Sequence, residues 1–454
     1  METFIQTAVS KGKILLKAGI IAVITLLLMI PASLVTDLVR EREMRQQEAI
    51  LEVSSKWAGR QNIAGPVVII PFYKDIQAQD GKITRTKEYS YFLPDDLNIT
   101  SAASPEERYR GIYKVILYKA NISINGSYTE VIPSALNITE ENILWNETFV
   151  QLHINDPKGL NDEVFLNWNG RKLAMTTQSI GGNEGLTAVP GITGANDLKN
   201  VKFSTTLNLS GSQQLLFTPA GKVTSVSLES SWPHPSFNGD ILPQSKVVTK
   251  TGFTATWKSL AFKRNFPQQW KERKYSPQLP IMQPPSRGYD AVTTASVEST
   301  SGPAAFGADF FIPVNAYQKT MRSVKYAMLC IVLTFAFFFI IETSNKKSVH
   351  PFQYGLIGLA LVLFYTLLLS FSEYIGFNYS YLIATVCTIS LIGWFVRGVL
   401  ASSRLAILLS LVLLLTYSYV FTILQLQDFA LLLGSIGLFI TLAVIMHFSR
   451  KIQW

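Results

Sequence analysis

Thiol chemistry has almost no material in this chain. Its 454 residues include two cysteines, Cys330 and Cys387, and both fall inside long apolar runs. The polar stretch of about 285 residues after the first such run has none, which excludes a disulfide framework or a thiolate metal site there. Histidine is equally sparse. His153, His234, His350 and His447 are scattered, with neither an H-E-x-x-H nor an H-x-H pair, whereas a catalytic zinc needs two or three converging ligands. The chain also lacks a G-x-S-x-G elbow, a Walker loop with its lysine and a G-x-G-x-x-G turn after a strand. SIGGNEGLTAVPG, residues 179–191, has the glycines of a phosphate cradle but neither the lysine nor the following helix, and reads as a flexible loop. Charged residues make up only 16% of the chain, and no basic patch interleaved with aromatics offers a nucleic-acid surface. These absences predict a protein that is not an enzyme, holds no cofactor or metal and binds no nucleic acid.

What the chain does have is apolar length. Hydrophobic residues are 48% of it, gathered in six runs centred on 14–36, 324–341, 352–371, 379–396, 405–424 and 429–447. Runs of about 18 residues suffice to cross a hydrocarbon core of ~30 Å as helices. The net charge of +9 is distributed with them. Lys11, Lys13 and Lys17 precede the first run, Lys346 and Lys347 follow the second, Arg397 and Arg404 bracket the loop after the fourth, and Arg450 and Lys451 follow the sixth. The remaining short loops carry neither Lys nor Arg, so the positive-inside rule predicts both termini in the cytoplasm and the large polar segment outside. A cleaved leader is the alternative for the first run, since PAS follows it. The run exceeds a usual h-region, and Leu34 and Val35 spoil the small-x-small pattern, so an uncleaved anchor is expected.

Four segments follow: residues 1–37, a cytoplasmic N-terminus and first span; 38–64, a helical extension; 65–320, a β-rich external domain; and 321–454, a five-helix membrane domain. In the extension, Glu41 with Arg45 and Glu52 with Lys56 are favourable i,i+4 pairs, and Ile50, Val53 and Trp57 mark a face to pack on the domain. Period-two alternation then sets in at Ala120, Ile122 and Ile124, ending at Asn125-Gly126, and again at Val201 to Leu209 and Phe253 to Trp257. TPAGK (218–222) and PHPSFNGD (233–240) read as turns, and GPVVIIPF (65–72) as a buried strand with Pro66 and Pro71 fixing its ends. A sandwich or curled antiparallel sheet is expected. KYSPQLPIMQPPSRGYD (274–290) reads as a connector, and FGADFFIPV (306–314) returns the chain to the membrane. Sequons begin at Asn98, Asn121, Asn125, Asn137, Asn146 and Asn208, a number that chance accounts for in an Asn-, Ser- and Thr-rich β domain.

Three acids near membrane ends are the candidate functional or structural residues. Glu342 closes the second span, with Lys346 four residues on as its expected ion partner. Glu373 and Asp428 lie in outer loops without a basic neighbour. Asp428 fits an N-cap, and Glu373 is expected to contact a basic or donor residue of the external domain from the turn SEYIGFN. Tyr326, Tyr354, Tyr374, Tyr379, Tyr381, Trp394 and Trp454 read as an interfacial belt. Thr366, Ser370, Thr385, Thr388, Ser390, Thr416, Ser418 and Gln425 are candidates for interhelical hydrogen bonds.

FGADFFIPVNAYQKTMRSVKYAMLCIVLTFAFFFIIE (306–342), YGLIGLALVLFYTLLLSFSEYIGFNYSYLIA (354–384) and QDFALLLGSIGLFITLAVIMHFSRKIQW (427–454) closely resemble the bacterial CreD inner-membrane protein family, as do GPVVIIPF and NFPQQW (265–270). The resemblance implies a Gram-negative inner-membrane protein tied to envelope integrity. In other members it implies expression under a two-component system linked to β-lactam response, and effects on colicin tolerance. It implies no reaction, cofactor or catalytic residue. The expectation is therefore an α+β membrane protein, six transmembrane helices with a large, mostly β periplasmic domain inserted after the first. It would act without catalysis on membrane lipids, envelope components or another inner-membrane protein. The alternative is a transporter or lipid-handling bundle with Glu373 and Asp428 at its outer mouth. A membrane-embedded hydrolase would need a polar triad, and these residues do not assemble one.

Overall fold

The computed structural model describes residues 16–77, 83–180, 183–271, 304–310, 316–345, 347–426 and 432–437, with single positions at 439, 443 and 446. The chain forms two units, Glu48–Pro313 and the combination of Met1–Gln47 with Val314–Trp454. One division falls inside the expected helical extension, and the other just before the boundary expected at 320.

In the helical unit, α1 is Leu16–Trp57, about 63 Å at 1.5 Å per residue and so roughly twice the hydrocarbon thickness. Pro31 has no N–H to offer the carbonyl of Leu27, and regular helix pauses at Leu28 before resuming at Met29. The short helix α2 (Ala316–Lys325) is followed by α3 (Ala327–Ser344), α4 (Pro351–Ile375), α5 (Phe377–Leu400) and α6 (Ser403–Gln425). Among the described residues, α1 and α3 to α6 are long and apolar enough to cross a membrane. The run expected at 429–447 lies mostly outside the described residues, although Leu432–Gly437 is helical.

Local chemistry sets these helix ends. The His350 ring accepts from Phe352 N, Gln353 Oε1 accepts from His350 N, and Pro351 takes the first helical position, where its missing N–H costs nothing. SEYIGFN is not an open turn. Helix continues to Ile375, Gly376 alone reverses the chain at φ 79°, and α5 starts at Phe377, a left-handed backbone that glycine adopts without strain. The bundle interior is aromatic, with Phe364 4.5 Å from Tyr417 and 5.3 Å from Tyr381 by ring centroids. Gly358 lets Leu28 of α1 sit where a Cβ would be.

The other unit is a two-sheet sandwich, its strands numbered along the chain. One sheet runs β13 (Pro235–Gly239), β17 (Phe306–Phe310), β11 (Gln214–Thr218), β1 (Gln61–Gln77), β5 (Phe149–Ile154), β9 (Asn183–Ala188) and β8 (Thr176–Ile180), and β2 (Ile83–Phe92) pairs with both β1 and β16 (Gln269–Lys271). The other runs β14 (Ser245–Thr249), β15 (Gly252–Leu260), β12 (Val223–Ser230), β3 (Asp96–Arg110), β4 (Tyr113–Glu130), β10 (Lys199–Ser212), β6 (Phe165–Trp168) and β7 (Arg171–Ala174). Pairing is mostly antiparallel, but β1 with β11 and β3 with β12 are parallel. The inward faces share one core, in which Trp257 of β15 meets Phe306 of β17 at 5.8 Å and Tyr118 of β4 meets Phe310 at 5.0 Å. At the end of α1, Ile50 packs with Val115 and Leu117 of β4, and Val53 and Trp57 lean on them.

Four sequence expectations change here. Pro66 and Pro71 lie within β1 rather than at strand ends. Pro66 occupies the register shift between Ala64 and Val67 against β5, where a bulge removes the need for its N–H. Pro71 pairs with Tyr89 on one side, and its carbonyl takes Leu144 N at 2.9 Å on the other. Asn125-Gly126 is not a turn, since β4 continues to Glu130 and Gly126 faces Asp96 O and the Phe203 ring, which leave no room for a Cβ. Pro235–Gly239 is an edge strand, not part of a turn. SIGGNEGLTAVPG is not a loop but carries the β8–β9 hairpin, with Ile180 opposite Asn183.

Candidate functional site

Among the described residues, the helical unit buries two carboxylate side chains, one towards each end of its bundle. Glu342, in the last turn of α3, has a side chain only 4% exposed. Lys17 of α1 forms a short ion pair with it and also donates to Val349 O at 2.6 Å. Tyr354 OH of α4 donates to Glu342 Oε2 at 2.7 Å, and Val349 N donates to Oε1 at 2.8 Å. One carboxylate thus ties α1, the α3–α4 connection and α4 together. Lys346, the expected partner, lies outside the described residues; the partner that is described comes from the first span.

Glu373, in the last turn of α4, has a side chain 8% exposed. Tyr317 OH of α2 donates to its Oε1 at 3.1 Å, and Arg42 Nε of α1 lies 3.9 Å away. Tyr317 falls within residues 65–320, where a donor was expected, although its helix α2 belongs to the helical unit; Arg42, on α1, lies outside that segment. The i,i+4 rule sees one helix at a time, so it could not pair Lys17 with Glu342 or Arg42 with Glu373 across hundreds of residues. Asp428 lies outside the described residues.

Of the expected aromatic belt, Trp454 lies outside the described residues, Tyr326 is half-buried, and the other five divide by exposure. Tyr374, Tyr379 and Trp394 are 71–76% exposed, as side chains facing lipid or headgroups would be, whereas Tyr354 and Tyr381 are buried. Tyr381 OH donates across to Tyr417 O at 2.8 Å. The span hydroxyls also differ from expectation. Thr366 and Thr416 donate to carbonyls three and four residues back in their own helices, the local bond open to any helical hydroxyl. Gln425 does cross between helices, donating to Asn378 Oδ1 at 2.7 Å.

In the β unit, Arg264 is buried without a carboxylate among its described partners. It donates to Pro219 O at 3.2 Å, to Ala220 O at 2.6 Å and to Gln268 Oε1, and burial pushes the guanidinium down to about 10. Gln268 carries the link on to Leu93 O and Pro94 O, so NFPQQW clasps two turns together. Asp309 accepts from Gln214 Nε2 at 2.7 Å and Asn238 Nδ2 at 3.1 Å, and burial raises its carboxyl above the usual range. Among the described residues no group of three or more His, Cys, Asp or Glu side chains converges as metal ligands would.

A family model described as Inner membrane protein CreD matches residues 13–454. The chain is 31% identical over 434 residues to the Inner membrane protein CreD of Escherichia coli (strain K12), covering 94% of this chain and 91% of that protein. Two structures of an M1 zinc metallopeptidase from Deinococcus radiodurans, one a mutant bound to a Tyr-ser-ala substrate, align at 8% and 9% identity. They cover 39% and 37% of this chain and 40% and 38% of theirs, with TM-scores of 0.18 and 0.19. Scores that low carry no argument.

Proposed function

We propose that this chain, which belongs to the family of the inner membrane protein CreD, supports cell envelope integrity or the envelope stress response without catalysis, its β unit in the periplasm on a multi-pass helical base. The membrane base itself follows from the family and from five described helices of spanning length. The observation that carries the functional reading is the filled sandwich. Trp168, Trp257, Tyr118, Tyr128, Phe217 and Phe306 are each less than 2% exposed in its interior. Such an interior leaves the unit its outer faces and strand edges as the surfaces on which to bind envelope components or a membrane partner.

Complementation tests this. In a Gram-negative host deleted for the chain, the full chain restores tolerance to envelope-targeting agents, and Glu373→Gln restores it equally, because an amide oxygen still accepts from Tyr317. Purified protein that turned over peptidoglycan or lipid precursors, and lost that turnover on one point substitution, would overturn the non-enzymatic reading. Loss of complementation by Glu373→Gln at unchanged membrane abundance would favour transport through the bundle instead.

A further inference from the structure

Helix α2 is two-sided in an unusual way. Tyr317, Thr320, Ser323 and Val324 are buried against the bundle. At 100° per residue, Gln318, Lys319, Arg322 and Lys325 share the opposite arc of about 120°. That arc contains three cations and no acid. α3 begins at Ala327, so the arc sits where a span meets its polar boundary.

Two further helix ends complete the patch. Lys319 Nζ donates to Gln425 Oε1 at 3.2 Å, at the end of α6, and lies 5.5 Å from the ring centroid of Phe377, at the start of α5. Gln425 in turn holds Asn378. Among the described residues no carboxylate pairs with Lys319 or Arg322, and the ammonium of Lys319 is pushed down by burial and by the neighbouring Arg322 charge. Glu373 is already engaged by Tyr317 and Arg42. Beyond the cations, Met328 and Val332 on the first turns of α3 are 47% and 40% exposed, so the span that follows the charges opens with exposed apolar side chains.

We propose that Lys319 and Arg322, with Gln425 and Asn378 beside them, hold the phosphodiester headgroup of an anionic phospholipid whose acyl chain lies along Met328 and Val332. Two repelling cations at a membrane boundary gain most from an anion delivered by the membrane itself. A phosphate presents acceptor oxygens to both side chains at once. Exposed apolar side chains at the start of the following span favour a lipid over free phosphate. The inference rests on the membrane placement of the helical unit and is independent of the envelope role.

The test uses the full chain, purified into zwitterionic detergent and offered phosphatidylglycerol or phosphatidylcholine of the same acyl composition, with bound lipid counted by native mass spectrometry. Wild type retains phosphatidylglycerol preferentially. Lys319→Gln with Arg322→Gln lowers that retention more than tenfold, while Lys202→Gln with Lys258→Gln, two charges removed from the β unit, leaves it unchanged. Arg322→Gln alone, which removes an exposed charge, lowers it about fivefold and carries the test should the double variant not fold. Undiminished retention in a folded Lys319/Arg322 variant, no preference in wild type, or displacement of the lipid by inorganic phosphate alone would each overturn the proposal.

Discussion

At the scale of single residues, the Glu342 cluster decides most and was least visible beforehand. A carboxylate this buried is tolerable only with its partners in place. Removing one member of a buried ion pair costs about 3–5 kcal/mol, while apolar replacement of both is often close to neutral. Lys17→Met is therefore expected to lower the unfolding midpoint of the detergent-solubilised protein strongly, because the buried Glu342 side chain loses its counter-ion. Lys17→Met combined with Glu342→Gln should recover part of the loss, since the amide oxygen still accepts from Val349 N, the amide NH2 can donate to the Tyr354 hydroxyl oxygen, and no unpaired charge remains. Calorimetry of the three proteins measures it, and a single variant as stable as the double would mean that Tyr354 and Val349 suffice to hold the carboxylate. The sequence marked Glu342 as a charge at a span end, which is a property of its own segment. It could not show that a lysine counted for orientation and a tyrosine counted for the interface both turn inward to it.

At the scale of elements, alternation was readable wherever a strand has one buried face. β4, β10 and β15 stand where Ala120 to Ile124, Val201 to Leu209 and Phe253 to Trp257 placed strands. It failed where residue type suggested a break that neighbouring strands override. Gly126 is the clearest case: glycine after asparagine is a strong hairpin signal, yet here the missing Cβ serves close approach in the middle of a sheet, between β3 and β10. Gly126→Val should cost about 2–3 kcal/mol through overpacking against Asp96 O and Phe203. Gly111→Ala, at the tip of the β3–β4 hairpin with nothing within 4 Å but φ at 61°, should cost about 1 kcal/mol of backbone strain alone. Urea titration of both, followed by tryptophan fluorescence, separates the two causes. Equal losses would place Gly126 among ordinary turn glycines after all.

At the scale of the whole molecule, the two carboxylate clusters assign directions to the helices. Lys17, the end of α3 and the start of α4 meet at Glu342, while Arg42, α2, the end of α4 and the end of α6 gather around Glu373 and Lys319. Lys347 falls in the α3–α4 connection and Arg404 in the first turn of α6, both at the Glu342 end, and Arg397 in the last turn of α5 leading to that end. The chain leaves for the β unit from the Glu373 end. Of the basic residues counted for orientation, Lys17, Lys347, Arg397 and Arg404 share one end, whereas Lys11, Lys13, Lys346, Arg450 and Lys451 lie outside the described residues; the count passed over α2, whose cations stand at the opposite end. Those cations oppose the usual bias, so orientation has to be measured rather than counted. With Cys330 and Cys387 replaced by alanine, Lys250→Cys in the β unit is expected to react with a membrane-impermeant maleimide in intact spheroplasts, and Ser402→Cys, between α5 and α6, only after permeabilisation. The reverse pattern would put the β unit in the cytoplasm and, because α2 and the Glu342 cluster would exchange sides, would move the proposed phospholipid site to the inner leaflet without altering its geometry.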